Sequence, residues 1–422
     1  MSKFLITGGT PLKGTITASG NKNAALKLLP ACLLTDEAVI LHNIPDIQDV
    51  QNTILILRNL GVQVEEIRAG SWRIHAQNVI KTELDSTLAS RTRASFVFAG
   101  PMLGRCGQIQ LPVPGGDVIG GRPLDTHVQA FRCLGVQVDY SREGLFDMRA
   151  PSLQGDDMLL AEASVTATEN TIMAAVLANG VTIINNAASE PHVRDLCDFL
   201  NQLGAQIEGA GTNRVIIHGV ERLSGGEFTI GADFMEVGSF IGATAVTGGE
   251  VRIKNADPKN LGMVRLVYEK IGVHWLDDGD DILIPASQPM RIESAVGGRV
   301  PQIKPMPWPG FPPDLMSIAV VLATQAQGSI LLHDWMYESR FFFVDNLVFM
   351  GARIVLCDPH RVLVQGPSRL YASPHGVPSP DIRAGMAMVL AALCAEGTST
   401  IHNIQQIDRG YESIEQKLQS IG

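Results

Sequence analysis

The chain has 422 residues, too long for one hydrophobic core, and its 45% hydrophobic and 18% charged content belongs to a globular protein rather than a disordered one. A formal net charge of −10 argues against a nucleic-acid partner, because a phosphate backbone needs a basic face. No apolar run reaches the ~18 residues that a membrane span requires, and the six scattered cysteines (Cys32, Cys106, Cys133, Cys197, Cys357 and Cys394) read as buried thiols in a reducing, cytoplasmic setting.

In chain order, two short strands over 4–7 and 15–18 come first. A helix of small apolar residues follows over 23–34, then a strand over 39–43 and an amphipathic helix ending in Leu60-Gly61-Val62-Gln63-Val64-Glu65. The same sequence of elements returns. A buried helix over 94–103 and a strand over 108–112 lead to Leu134-Gly135-Val136-Gln137-Val138-Asp139. Those over 171–178 and 181–186 lead to Leu203-Gly204-Ala205-Gln206-Ile207-Glu208. Weaker copies pair 237–246 and 251–255 with Ile271-Gly272, 315–324 and 330–334 with Met350-Gly351, and 384–395 and 398–403 with Ile421-Gly422. Gly61, Gly135, Gly204, Gly272, Gly351 and Gly422 recur at intervals of 68 to 79 residues. Glycine suits the left-handed turn that ends a helix, and the alternation after it suits a half-buried strand.

These six units predict an α/β (α+β) protein of two lobes with three units each. The cut falls near Gly231: residues 21–231 form one lobe, with a glycine loop over 112–123, and 1–20 plus 232–422 form the other. The N-terminal strands have no unit of their own, so they are expected to complete the second lobe.

Polar residues recur at two places in the repeat. At the starts of the buried helices lie Lys22 and Asn23, Arg91 and Arg93, Glu169 and Asn170, Asp233 and Glu236, Asp314, and Asp381 with Arg383. An acid there reads as an N-cap, and that is the simplest reading of Asp314 alone. A cation is at the wrong end of the helix dipole and leads into buried structure, so Lys22, Arg93 and Arg383 call for an anion. The loops after the short strands carry Asp49, Glu190, Arg340 and Arg409. The second unit alone has the long loop Pro114-Gly115-Gly116-Asp117-Val118-Ile119-Gly120-Gly121-Arg122-Pro123, which can close over a substrate. The ten histidines lack metal-ligand spacing, and His127, just after this loop, is the one singled out. Gly8-Gly9 is no dinucleotide fingerprint because no helix follows it, and Ser19–Asn23 lacks P-loop spacing.

Ser19-Gly20-Asn21-Lys22-Asn23-Ala24-Ala25-Leu26, the loop over 114–125, Pro312-Pro313-Asp314, Glu338-Ser339-Arg340-Phe341, Asp381-Ile382-Arg383-Ala384 and Ile407-Asp408-Arg409-Gly410-Tyr411-Glu412 stand in the order of known motifs. Over essentially the whole chain the sequence resembles the enolpyruvyl transferase family, in particular its branch acting on UDP-N-acetylglucosamine at the first committed step of peptidoglycan synthesis. The resemblance implies two lobes closing on a substrate. It also implies transfer of the enolpyruvyl group of phosphoenolpyruvate to the sugar 3′-hydroxyl with loss of phosphate, through a tetrahedral ketal and without metal or organic cofactor. On it, Lys22, Arg93, Arg122 and Arg409 hold phosphoenolpyruvate, Asp314 is the base for the sugar hydroxyl, and Asp117 stands at the usual cysteine position that protonates the methylene carbon. Asn23, Asp49, Glu190, Arg340, Asp381 and Arg383 match supporting positions, and Ser164 and His127 are counted with the substrate-binding set. A monomer is expected.

The sequence departs from the pattern at Gln48, Phe234, Pro313, Met316-Ser317-Ile318 and His192 of Glu190-Pro191-His192. These positions leave the acceptor open: a related transferase with another acceptor, or a non-catalytic binding protein on the same scaffold, are the alternatives. The Asp at 117 removes the thiol that fosfomycin alkylates.

Overall fold

The computed structural model describes residues 2–116, 119–141, 144–373 and 375–422. Asp117, the expected proton donor, lies outside the described residues. Packing divides the chain into two compact units: residues 20–116 and 122–231 in one, and residues 2–19, 119–121 and 232–422 in the other.

Each unit contains three sheets, six in all among the described residues. In the first unit the sheets are built on strands Ala38–His42, Gln108–Pro112 and Val181–Asn185; in the second, on Glu250–Lys254, Gly328–His333 and Thr398–His402. Every one of these strands follows a buried helix, and each pairs antiparallel with a neighbour. The N-terminal strands join the second unit. Lys3–Thr7 runs antiparallel to Thr398–His402, and Lys13–Thr17 runs parallel to Glu250–Lys254.

The helices between the sheets are covered on all sides, which their small apolar sequence dictates. In the helix Phe234–Thr247, every residue from Phe234 to Ala245 is buried. Asp233 caps it, its carboxylate accepting from the backbone N–H groups of Met235 (2.9 Å) and Glu236 (3.2 Å). Asp381 caps Ile382–Cys394 in the same way, accepting from Arg383 (2.7 Å) and Ala384 (2.9 Å). These two helices and Met316–Gln325 pack on one another in the second core. In the first, Lys22–Ala31 packs on the 3₁₀ turn Arg93–Phe98, and Ala99–Cys106 packs on Val165–Ala175.

The repeat glycines do what their spacing requires. Gly61, Gly135, Gly204, Gly272 and Gly351 all have φ between 84° and 104°. The turn after the short strand also uses the left-handed region, at Asn43, Asn186, Asn255 and Asn403 (φ 52° to 59°). Two helices differ from expectation. The stretch expected as a helix over 94–103 is a 3₁₀ segment, Arg93–Phe98, before the α-helix Ala99–Cys106. The third buried helix starts at Val165 rather than 171, because its first two turns bury polar side chains with internal partners. Thr171 Oγ1 donates to the Ala167 carbonyl (2.7 Å), and Thr168 Oγ1 accepts from the Ala188 N–H (2.9 Å). No described helix is long and apolar enough to cross a membrane.

Candidate active site

In the first unit, Lys22 opens the helix Lys22–Ala31 behind Asn21, whose side chain accepts from the Ala24 N–H (3.0 Å). Lys22 is buried and its Nζ lies 2.9 Å from Asp49 Oδ2. The anion that the sequence demanded for this cation is thus partly supplied from within. Asn23 is half-buried beside it. Arg93 starts its own 3₁₀ turn, and its guanidinium donates to the carbonyls of Arg122 and Pro123. The glycine loop can run close to this turn only because positions 115 and 116 lack side chains: a Cβ on Gly115 would meet the Ser90 carbonyl at 1.7 Å, and one on Gly116 would lie 3.0 Å from Arg93 Cβ.

Arg122 is half-buried, and its guanidinium has no partner among the described residues. It lines a cleft of about 880 Å³ with Tyr140, Phe146 and Arg132. His127 is only 2% exposed. Asn170 Nδ2 donates to its Nδ1 (3.1 Å), its Nε2 lies 3.1 Å from Thr166 Oγ1, and Phe96 meets it edge-on. Burial, with Arg93 adding to it, pushes its pKa down to about 3. The ring is therefore neutral, and both of its nitrogens have partners within the protein. Ser164 occupies the N-cap of Val165–Ala175 without a side-chain capping bond and is half-buried.

In the second unit Asp314 does not take a cap position; Pro312 and Leu315 do. Its carboxylate is held instead by two arginines. Arg383 Nε donates to Oδ2 (3.0 Å) and Arg340 Nη2 to Oδ1 (3.3 Å). Both arginines are buried, at 5% and 2% exposure, whereas the Asp314 side chain is 30% exposed. Arg340 also reaches Asp334, 3.6 Å away, and lies over the Tyr337 ring. Burial raises the Asp334 carboxyl above its ordinary value, against the pull of Arg340. Arg383 lies over the Tyr411 ring, and the Tyr411 hydroxyl bonds Ser239 Oγ (2.9 Å). Arg409 is half-buried, its Nη1 donating to Gln406 Oε1 (3.0 Å). Glycine-loop residues 119–121 pack within this unit: the Ser339 N–H donates to the Ile119 carbonyl (3.1 Å) and the Gly121 N–H to Glu338 Oε2 (3.1 Å).

Sequence reasoning thus found the charged residues but not the pairs Lys22–Asp49, Arg340–Asp314 and Arg383–Asp314. It also passed over Asp334, whose burial next to Arg340 has no local signal, and Lys27, a charge inside the apolar stretch that follows Asn23.

The sequence profile of the family described as EPSP synthase (3-phosphoshikimate 1-carboxyvinyltransferase) matches residues 6–418. The chain belongs to the enolpyruvyl transferase family that this profile defines. Among its relatives, UDP-N-acetylglucosamine 1-carboxyvinyltransferase of Treponema denticola is 50% identical, covering 100% of this chain and 98% of that protein. The enzyme of the same description from Bradyrhizobium diazoefficiens is 51% identical, covering 100% and 96%. The fold is similar to that of the enolpyruvyl transferase NikO from Streptomyces tendae (TM-score 0.88, 22% identity, covering 100% of this chain and 97% of that one). It is also similar to EPSP synthase from Acinetobacter baumannii (TM-score 0.74, 17% identity, covering 100% and 98%).

Proposed function

We propose that this chain transfers the enolpyruvyl group of phosphoenolpyruvate to the 3′-hydroxyl of UDP-N-acetylglucosamine, releasing phosphate. The observation that carries this reading is Asp314, a part-exposed carboxylate fixed by two buried arginines in a member of this family. A base must be positioned before it can take a proton, and two guanidinium contacts fix both of its oxygens.

In this reading Asp314 accepts the proton of the sugar hydroxyl as its oxygen bonds to C2 of phosphoenolpyruvate. Asp117 gives a proton to C3, which becomes a methyl group in the tetrahedral ketal. The C2–O bond to phosphate then breaks, C3 loses a proton, and the double bond re-forms in the product. Lys22, Arg93, Arg122 and Arg409 offset the charge of a donor that carries both a phosphate and a carboxylate, for which forked Arg contacts are suited. Asp117 must be protonated to act, and a bound polyanion favours its neutral form. The chain acts as a monomer in the cytoplasm, a setting that accords with its six free thiols.

The test is phosphate release from phosphoenolpyruvate with UDP-N-acetylglucosamine, with shikimate 3-phosphate, or with no acceptor. Release with the sugar nucleotide alone is the expected result. Release with shikimate 3-phosphate instead, or none with either, overturns the reading.

A further inference from the structure

Beneath the start of the helix Lys22–Ala31 lies a group of ionisable side chains that the reaction does not touch. Lys27 follows Asn23 by four residues, so the two occupy one helix face a turn apart. Lys27 is 4% exposed, and its Nζ lies 3.5 Å from Glu169 Oε2 on the helix Val165–Ala175. Glu169 is completely buried, and neither of its oxygens accepts a hydrogen bond among the described residues. From the helix Pro191–Gln202, His192 Nε2 approaches Glu169 Oε1 to 3.9 Å. Glu190, at the cap of that helix, and Cys197, within it, also face this charge. Burial raises the Glu169 carboxyl to about 8; Lys27 opposes the rise and Glu190 adds to it.

We propose that Lys27 is a buried determinant of affinity for the anionic donor, and that the protonation state of Glu169 gates its charge. This rests on the reading above, in which Lys22 and Asn23 hold phosphoenolpyruvate. With Glu169 neutral, the Lys27 ammonium stands uncompensated one turn below Asn23 and adds to the positive end of the helix dipole. With Glu169 ionised, a carboxylate 3.5 Å away cancels it. Donor binding favours the proton-bound form, so affinity is highest below the Glu169 pKa and falls as pH rises through it. For an anion taken to lie about 8 Å from the ammonium, Coulomb's law gives a change in affinity of about 2- to 30-fold, for effective dielectric constants between that of water and about 20.

The experiment is calorimetric binding of phosphoenolpyruvate to the full chain between pH 7 and 9.5, with turnover measured in parallel. The wild type is expected to weaken about 2- to 30-fold across this range. Glu169→Gln should stay tight and flat, and Lys27→Met should be weak and flat, each with kcat at saturating donor within about twofold of wild type. A Glu169→Gln profile that tracks the wild type, or a fall in kcat at unchanged affinity, overturns the proposal. Infrared pH-difference spectra of the wild type need no variant. They should lose one buried protonated-carboxyl band between pH 7 and 9.5, and absence of that change also overturns it. Inorganic phosphate serves as a second probe. If its binding keeps the pH profile while no acceptor supports turnover, the assigned reaction fails and the charge gate stands.

Discussion

Asp314 owes its position to two arginines that reach it from 26 and 69 residues away in sequence. The charged residues were legible because each interrupts an apolar context, but their partners were not, since pairing is a property of the folded chain. This separates two predictions. Asp314→Asn keeps the shape and removes the base, so kcat should fall at least ~100-fold with phosphoenolpyruvate affinity nearly unchanged; calorimetry beside a phosphate-release assay checks this. Arg340→Met leaves Asp334, which is completely buried, without its cation, and should destabilise the fold by about 3–5 kcal/mol in urea titration. A third prediction concerns fosfomycin, which requires a reactive thiol. Burial pushes the thiols of Cys197 and Cys394 up to about 12, raises Cys32 further, and raises Cys106 and Cys133 as well. With Asp at position 117 the protein should resist the drug, and Asp117→Cys should restore stoichiometric labelling by mass spectrometry; labelling of the native chain would refute this.

At the scale of elements the repeat was readable because two short-range demands recur: a left-handed residue at the end of each amphipathic helix and alternation after it. Helix starts were less readable. The rule that buried helices are apolar fails at Thr166–Thr171, where Asn170 alone donates to the Phe96 carbonyl and to His127 and accepts from the Gly100 N–H. That network also engages His127, which the sequence reading counted with the substrate-binding set and which is buried here. The repeat glycines are not equivalent. Gly135 has open space around its missing side chain, so Gly135→Ala bears only the strain of φ 84°, about 1 kcal/mol. At Gly272 a Cβ would come within 2.4 Å of the Arg291 N atom, so Gly272→Ala should lower stability by clearly more, about 2–3 kcal/mol or beyond. Thermal melts of the two variants should differ accordingly, and equal shifts would count against this account.

For the whole molecule, the α/β class and six-unit organisation followed from periodicity, whereas the grouping of glycine-loop residues 119–121 with Glu338 and Ser339 had no sequence signal. The N-terminal strands bear on cooperativity. Removal of residues 1–18 strips one strand from each of two sheets in the second unit and should lower its unfolding midpoint while leaving the unit of 20–116 and 122–231 folded, as proteolysis protection would report. The same pairing has a consequence during synthesis. Strand Lys3–Thr7 is made well before its partner Thr398–His402. At about 5–20 residues per second, the nascent chain carries that edge unpaired for tens of seconds. The unit of 20–116 and 122–231 is made in between and can fold meanwhile, so the second unit closes only after the first is complete.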